Sequence, residues 1–197
     1  DSVASRGLGD VYKRQVYISG KVTSEIIRCI EDNLGSGQWG EVTEKAKTML
    51  VPPVTTKEKR IFIEREDALQ SSLKMGCFVM DRHHPDFLKA RVMVTLFGGY
   101  FGSRLMSNIR EDKGYTYGIG AGIVSYPETG ILTVSTEAAN EYVDSIITEV
   151  YREMDKLCND LVPQEELEMV KNYMLGDLCR SYEGPFSLSD AWIYIET

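Results

Sequence analysis

Apolar and polar positions change their spacing several times along the 197 residues, and each change marks an element. VYISGKV at 16–22 reads as a strand and TSEIIRCIEDNLG at 23–35 as a helix. Thr23 and Ser24 are its N-cap candidates, Glu25 lies in the first turn where the dipole favours a carboxylate, and Gly35 stops it. Residues 36–60 keep no period and read as a long connection. IFIERE at 61–66 and SLKMGCFVM at 72–80 are predicted strands, the second with Leu73, Met75, Cys77 and Val79 on one face. PDFLKARVMVTLF at 85–97 predicts a helix with Pro85 near its first turn; it is apolar on most sides, so burial is expected.

SRLMSNIREDK at 103–113 predicts a shorter helix with Leu105, Met106 and Ile109 inward, and Gly114 sits where a left-handed residue closes a helix. Strands at about 115–126 and 130–136 follow, joined by YPETG, which has the Pro and Gly of a tight hairpin. From Asn140, Val143, Ile146, Ile147, Val150, Met154 and Leu157 repeat as one face of an amphipathic helix. A last helix runs from about Pro163 with Leu167, Val170, Met174, Leu175 and Leu178 inward. Strands in adjacent pairs interleaved with helices predict an α+β fold, a two-layer sandwich whose mostly antiparallel sheet carries helices on one face.

Composition narrows the function. The chain is 43% hydrophobic and 26% charged, ordinary for one globular domain, and 30 acidic against 22 basic residues give a net charge of −8. No basic cluster breaks that background, so neither nucleic acid nor an anionic membrane is an expected partner. Cys29, Cys77, Cys158 and Cys179 lie far apart without ligand spacing and read as buried small hydrophobes. No apolar run approaches the roughly 20 residues of a membrane span. Residues 1–15, DSVASRGLGDVYKRQ, read as a non-native leader, and SDAWIYIET ends the chain inside an apolar stretch. The expectation is one domain over 16–197, truncated at its C-terminal end, from a longer protein.

The stretch LFGGYFGSRLMSNIREDKGYTYGIGAG at 96–122 concentrates the candidate chemistry. Gly98, Gly99 and Gly102 precede a helix start, where free N–H groups welcome anions, but the spacing fits neither G-x-G-x-x-G nor a P-loop. They are expected to form a tight inter-helix turn that needs positive φ. Further on, Thr116, Gly118, Gly120 and Gly122 alternate with Tyr117, Ile119, Ala121 and Ile123, leaving one strand face nearly bare; a helix of the same domain is expected to pack there in preference to a ligand. His83 and His84, with Asp81 or Asp86, could be proposed as metal ligands, but adjacent residues project apart and Asp86 suits a helix start. H-E-x-x-H, its inverse and G-x-S-x-G are all missing from the sequence, so it contains no complete hydrolytic machinery.

HHPDFLKARVMVTLFGGYFGSRLMSNIREDKGYTYGIGAG resembles the signature of the C-terminal, non-metal-binding domain of the pitrilysin/insulinase family of zinc metallopeptidases, which includes mitochondrial processing peptidase and the cytochrome bc1 core proteins. The likeness is specific over 82–124 and looser from Val16 to the end. It implies two similar αβ domains facing one another like a clam shell. One carries zinc on H-x-x-E-H and a distal Glu; the other supplies an Arg and a Tyr, by motif position Arg110 and Tyr117. The resemblance thus implies a guanidinium that binds a substrate carbonyl and a phenol that stabilises the oxyanion formed when the peptide is attacked. Gly114 would end the helix so that the two converge, and Tyr115 is expected to pack. Zinc is expected in a missing N-terminal domain or a partner subunit, with a peptide as substrate and a homodimer or heterodimer as the assembly. Two functions follow from the resemblance: the substrate-closing half of a zinc endopeptidase, or a catalytically silent partner or structural subunit. Without it, Arg110 reads as a helix-end cation and Tyr117 as an ordinary strand tyrosine.

Overall fold

The computed structural model describes residues 16–35, 57–126 and 129–196. The leader, positions 36–56 of the long connection, and Pro127 and Glu128 of the hairpin turn lie outside the described residues. The chain divides into two compact units, Phe62–Gly176 and a second composed of Asp1–Ile61 with Asp177–Thr197.

In the second unit, α1 (Ser24–Ile30) starts at Thr23, whose hydroxyl accepts the Ile26 N–H at 3.4 Å. It continues into a π-helical turn, Glu31–Gly35. The strand expected at 16–22 is absent: Gly20 at φ 107° turns the chain, and the Val22 N–H donates to the Gly20 carbonyl at 3.0 Å. A helix absent from the sequence reading, Pro185–Glu196, follows Gly184, which has φ 96°. Pro185 suits a first helical position because its missing N–H would have had no partner there. The run is apolar nearly all round, which hides the helical period.

The unit Phe62–Gly176 holds the sheet. β1 (Ser71–Val79), β2 (Thr116–Ser125) and β3 (Gly130–Ala138) pair antiparallel in the order β1-β3-β2. Leu73 and Met75 of β1 turn toward the core, in register with Thr136 and Val134 of β3. The strand expected at 61–66 does not form, and Ile61, Phe62 and Ile63 are each more than 70% exposed at 72%, 85% and 79%. No described strand pairs with them.

Helices cover one face of the sheet. α2 (Phe87–Val94) runs on as a π-helical turn, Thr95–Gly99; a π-helix, Met106–Asp112, follows, and α3 (Val143–Asn159) completes the set, after which comes α4 (Gln164–Ser181). Phe97, Leu105 and Ile109 from the helices bury against Ile119, Val134 and Ala138 of the sheet, with Ile146 and Val150 of α3 behind them. The amphipathic pattern of α3 is therefore realised. Burial of α2 on most sides is not: Phe87 and Val94 are buried but Leu88 is exposed. On α4, Val170 is fully buried while Leu175 and Leu178 are exposed. All four cysteines are free and exposed, against the expectation of burial.

The glycine pattern has a different cause from the expected one. Among the described residues only Gly20, Gly114 and Gly184 have positive φ, so Gly98, Gly99 and Gly102 do not turn the chain by left-handed backbone. They permit close approach. A Cβ on Gly98 would stand 2.6 Å from the Ala121 Cβ of β2, and one on Gly102 would stand 2.9 Å from the Tyr100 ring. A helix end does meet β2, but through its own glycine onto the strand's alanine; Gly118 and Gly122 have nothing within 4 Å. On the bare strand face the helix end reaches Gly120 alone, where a Cβ would stand 3.7 Å from the Gly98 carbonyl oxygen.

A buried polar cluster fixes the π-helix to α3. The Asn108 amide donates to Glu149 (3.1 Å) and Glu153 (2.8 Å), both nearly fully buried. The Lys113 ammonium donates to Asn108 Oδ1 at 2.5 Å and lies 3.5 Å from Glu149, and Arg152 and Lys156 pair with Glu149 and Glu153. Arg104 ties the same region to Glu166 of α4 by two bonds of 2.7 and 2.8 Å. Burial alone would push the Glu149 carboxyl up, but the Asn108 hydrogen bond and the charges of Lys113 and Arg152 outweigh it and hold it below the ordinary carboxylate value of 4.5.

Two outcomes are expected. Gly98→Ala should lower stability by about 1–3 kcal/mol, the scale of overpacking, read as a lower urea midpoint; an unchanged midpoint would contradict the Gly98–Ala121 contact. Asn108→Ala leaves two buried carboxylates short of a donor and should cost about 1–3 kcal/mol at neutral pH. A carboxyl held low stabilises the fold above its unfolded value and loses that contribution as pH falls through its folded value. The gap between wild type and Asn108→Ala should therefore shrink below pH 4.5. A gap independent of pH would show that Glu149 is not its source.

Candidate functional site

Arg110 lies in the last turn of the π-helix Met106–Asp112, and the way that helix ends sets its place. The Lys113 N–H reaches the Asn108 carbonyl at 3.2 Å, a five-residue step characteristic of a π-turn. Gly114, at φ 66°, then donates its N–H to the Arg110 carbonyl at 3.1 Å, the left-handed cap that the sequence predicts. The Tyr115 N–H closes on the Ile109 carbonyl at 3.0 Å. The chain reverses within two residues and enters β2.

β2 begins with an irregularity absent from the sequence reading. Thr116 pairs with Ala138 and Ile119 with Thr136, so the step takes three residues on β2 against two on β3. One extra residue makes a β-bulge at Tyr117–Gly118. The Thr116 hydroxyl donates to the Glu137 carbonyl at 2.6 Å and accepts the Gly118 N–H at 3.2 Å. The Thr136 hydroxyl, 2.8 Å from that of Thr116, donates to the Gly118 carbonyl at 2.8 Å. Both threonines are buried, so these bonds pin the bulge from inside. Thr116 thus joins Ile119 on the inner side, contrary to simple alternation, and the Tyr117 side chain is 92% exposed.

Arg110 and Tyr117 line one hollow of about 530 Å³, with Gln70, Glu111, Tyr115, Glu137 and Tyr142 among its walls. Tyr115 stacks on Tyr142, with ring centroids 4.8 Å apart and planes 14° from parallel, and both pack against the core. Its role is packing. The Arg110 guanidinium carbon lies over the Phe101 ring, 4.6 Å from its centroid. Among the described residues no carboxylate lies within ion-pair distance of Arg110. Arg110 is half-buried and Tyr117 exposed, and both border this hollow; a guanidinium and a phenol are donors of the kind that a carbonyl oxygen or an oxyanion accepts.

Gly98, Gly99 and Gly102 stay outside this hollow and serve packing in the turn that precedes the π-helix. Among the described residues no group of three or more His, Cys, Asp or Glu could hold a metal. His84 Nδ1 accepts the Asp86 N–H at 3.1 Å at the start of α2, and the His83 backbone N–H donates to Asp81 Oδ1 at 2.8 Å. A second hollow, of about 590 Å³, borders Asn108, Glu149 and Glu153, whose polar groups already pair with one another. Sequence reasoning missed Phe101 and the bulge. A glycine next to an aromatic inside a strand pattern is the signal that could have revealed the second.

Comparison with known proteins places the chain in a family. Residues 15–174 match the family described as the peptidase M16 inactive domain. The chain is 25% identical over 168 residues to the uncharacterized zinc protease YmxG of Bacillus subtilis, which covers 85% of this chain and 40% of that protein. It therefore spans well under half the length of that curated relative. A peptidase M16 inactive domain from Pseudomonas fluorescens superposes with a TM-score of 0.53 at 27% identity, covering 56% of this chain and 27% of the other. A protease from Helicobacter pylori shares the fold with a TM-score of 0.69 at 16% identity, over 88% of this chain and 43% of that one. With an α+β sandwich, a helix end and strand arranged around one hollow, and a match across most of its length, the chain belongs to the peptidase M16 inactive-domain family.

Proposed function

We propose that this chain is the substrate-closing, non-metal half of a zinc metalloendopeptidase. One observation carries the reading: Arg110 and Tyr117, from a helix end and a strand bulge, line a single hollow. In this role Arg110 donates to a carbonyl oxygen of the bound peptide and fixes the chain beside the scissile bond. Tyr117 donates its phenol O–H to the oxyanion that develops at the attacked carbonyl. Donors placed before the reaction need no reorganisation when charge appears, so they favour the transition state over the ground state. The zinc belongs to another domain of the longer protein or to a partner subunit, in a homodimer or heterodimer, and supplies activation of the attacking water. The zinc-protease name of the Bacillus relative supports that assignment.

The described residues of this chain do not fit a metal, so every step assigned to it is binding or hydrogen-bond donation. The exposure of Tyr117 suits a residue whose partner arrives from outside. The competing role is a catalytically silent subunit that binds peptide or assembles without hydrolysis.

With the zinc-bearing half present, Arg110→Ala or Tyr117→Phe should lower kcat/KM by about 10²–10³, the scale of a lost oxyanion donor, while circular dichroism and the melting temperature stay at wild type. Unchanged kinetics in both variants would leave the silent role. The purified chain alone should neither hydrolyse peptides nor bind zinc stoichiometrically, and zinc-dependent hydrolysis by it would overturn the proposal.

A further inference from the structure

The turn that joins α2 to the π-helix carries two aromatic residues with opposite fates. Ser103 closes it by donating its N–H to the Tyr100 carbonyl at 3.1 Å. The Tyr100 ring folds back over Gly102, where a Cβ would come within 2.9 Å of it, and stacks on Tyr173 with centroids 4.9 Å apart. That contact anchors the turn. Its neighbour Phe101 is 62% exposed, and the one ring contact described for it is the Arg110 guanidinium over its face.

A large apolar side chain held in solvent gains little for the fold. It does, however, restrict an arginine whose side chain otherwise has many rotamers. A cation over a ring face is attracted by the ring quadrupole, and a guanidinium so placed keeps the N–H groups along its edge for other acceptors. Those N–H groups have no carboxylate within ion-pair distance among the described residues. Phe101 is therefore placed to hold Arg110 in one orientation without consuming its donors.

We propose that Phe101 is a positioning residue for Arg110: its ring is the platform that fixes the guanidinium before a peptide carbonyl arrives. This rests on the reading of Arg110 as a substrate-binding group. It adds to that reading a residue that need not touch the substrate and acts through Arg110 alone. Phe101→Leu keeps an apolar side chain but removes the ring face, whereas Phe101→Tyr keeps the face.

The test has two arms. In the longer protein, or with the zinc-bearing partner bound, Phe101→Leu should lower kcat/KM about tenfold, because misplacing a positioned group is costly to rate. Phe101→Tyr should restore it to within about threefold, on the modest scale of ring-face interactions. Combined with Arg110→Ala, Phe101→Leu should add no further loss, the non-additivity of residues that act as one unit. In the 197-residue chain, the Arg110 Nε–H resonance should carry a ring-current shift that Phe101→Leu abolishes and Phe101→Tyr keeps. Phe101→Leu at the wild-type rate, where Arg110→Ala is slow, would overturn the proposal. If Arg110→Ala is itself silent, the functional reading fails and the resonance decides the orienting contact separately. An Nε–H shift unchanged by Phe101→Leu would then overturn it as well.

Discussion

The helical layer can come no closer to the sheet than Gly98 allows. At that point backbone stands against the side chain of Ala121 with no room for even a methyl group between them. This approach sets the height of everything that follows in the chain. It brings Phe97 and Leu105 onto Ile119 and Val134, and it fixes where the turn at 100–103 begins. The π-helix must then leave that turn at a set height and angle, so that its end, with Arg110, meets the start of β2. Interiors pack at crystal-like density, so a displacement at the first contact would be passed along this path instead of absorbed.

Charge secures what packing has placed. Chains rarely bury two carboxylates four residues apart on one helix, and Glu149 and Glu153 are tolerated here because Asn108 donates to both while Lys113, Arg152 and Lys156 neutralise them. Asn108 lies two residues before Arg110 on the same helix. The cluster therefore fixes that helix against α3 through groups of defined geometry, and Arg104 with Glu166 adds a second tie to α4. The net charge of −8 does not describe this neighbourhood, where cations match the buried acids closely.

The local pattern made several features legible. Gly114 after a helix with a lysine in its closing turn could be read as a left-handed cap, because few residues other than glycine take φ 66°. The strands on either side of YPETG, the amphipathic stripe of α3 and the inner face of β1 also followed from period alone. What stayed hidden depends on partners distant in sequence. VYISGKV and IFIERE have strand composition, but a strand requires a neighbour, and none of the described strands pairs with either. The glycines at 98, 99 and 102 suggested turns, whereas what stands close to them is Ala121 at Gly98, Thr95 at Gly99 and the Tyr100 ring at Gly102. Simple alternation set Thr116 opposite Ile119 in facing, and a single inserted residue reversed that assignment. Arg110 and Tyr117 were found through resemblance; spacing along the chain could not have shown that they border the same hollow.

That inserted residue also bears on why Tyr117 stands where it does. A regular β2 would keep every ladder bond and place no tyrosine almost wholly in solvent. The bulge gives up a ladder position, and two buried threonines are committed to holding it. The bulge turns Thr116 inward and leaves Tyr117 outside the core. Next to it Arg110 rests on an exposed ring, and among the described residues no acid pairs with it. These two adjacent arrangements border one hollow. The proposed role in closing over a peptide gives both a common purpose, since hydrogen-bond donors serve an oxyanion only when structure elsewhere holds them in place beforehand.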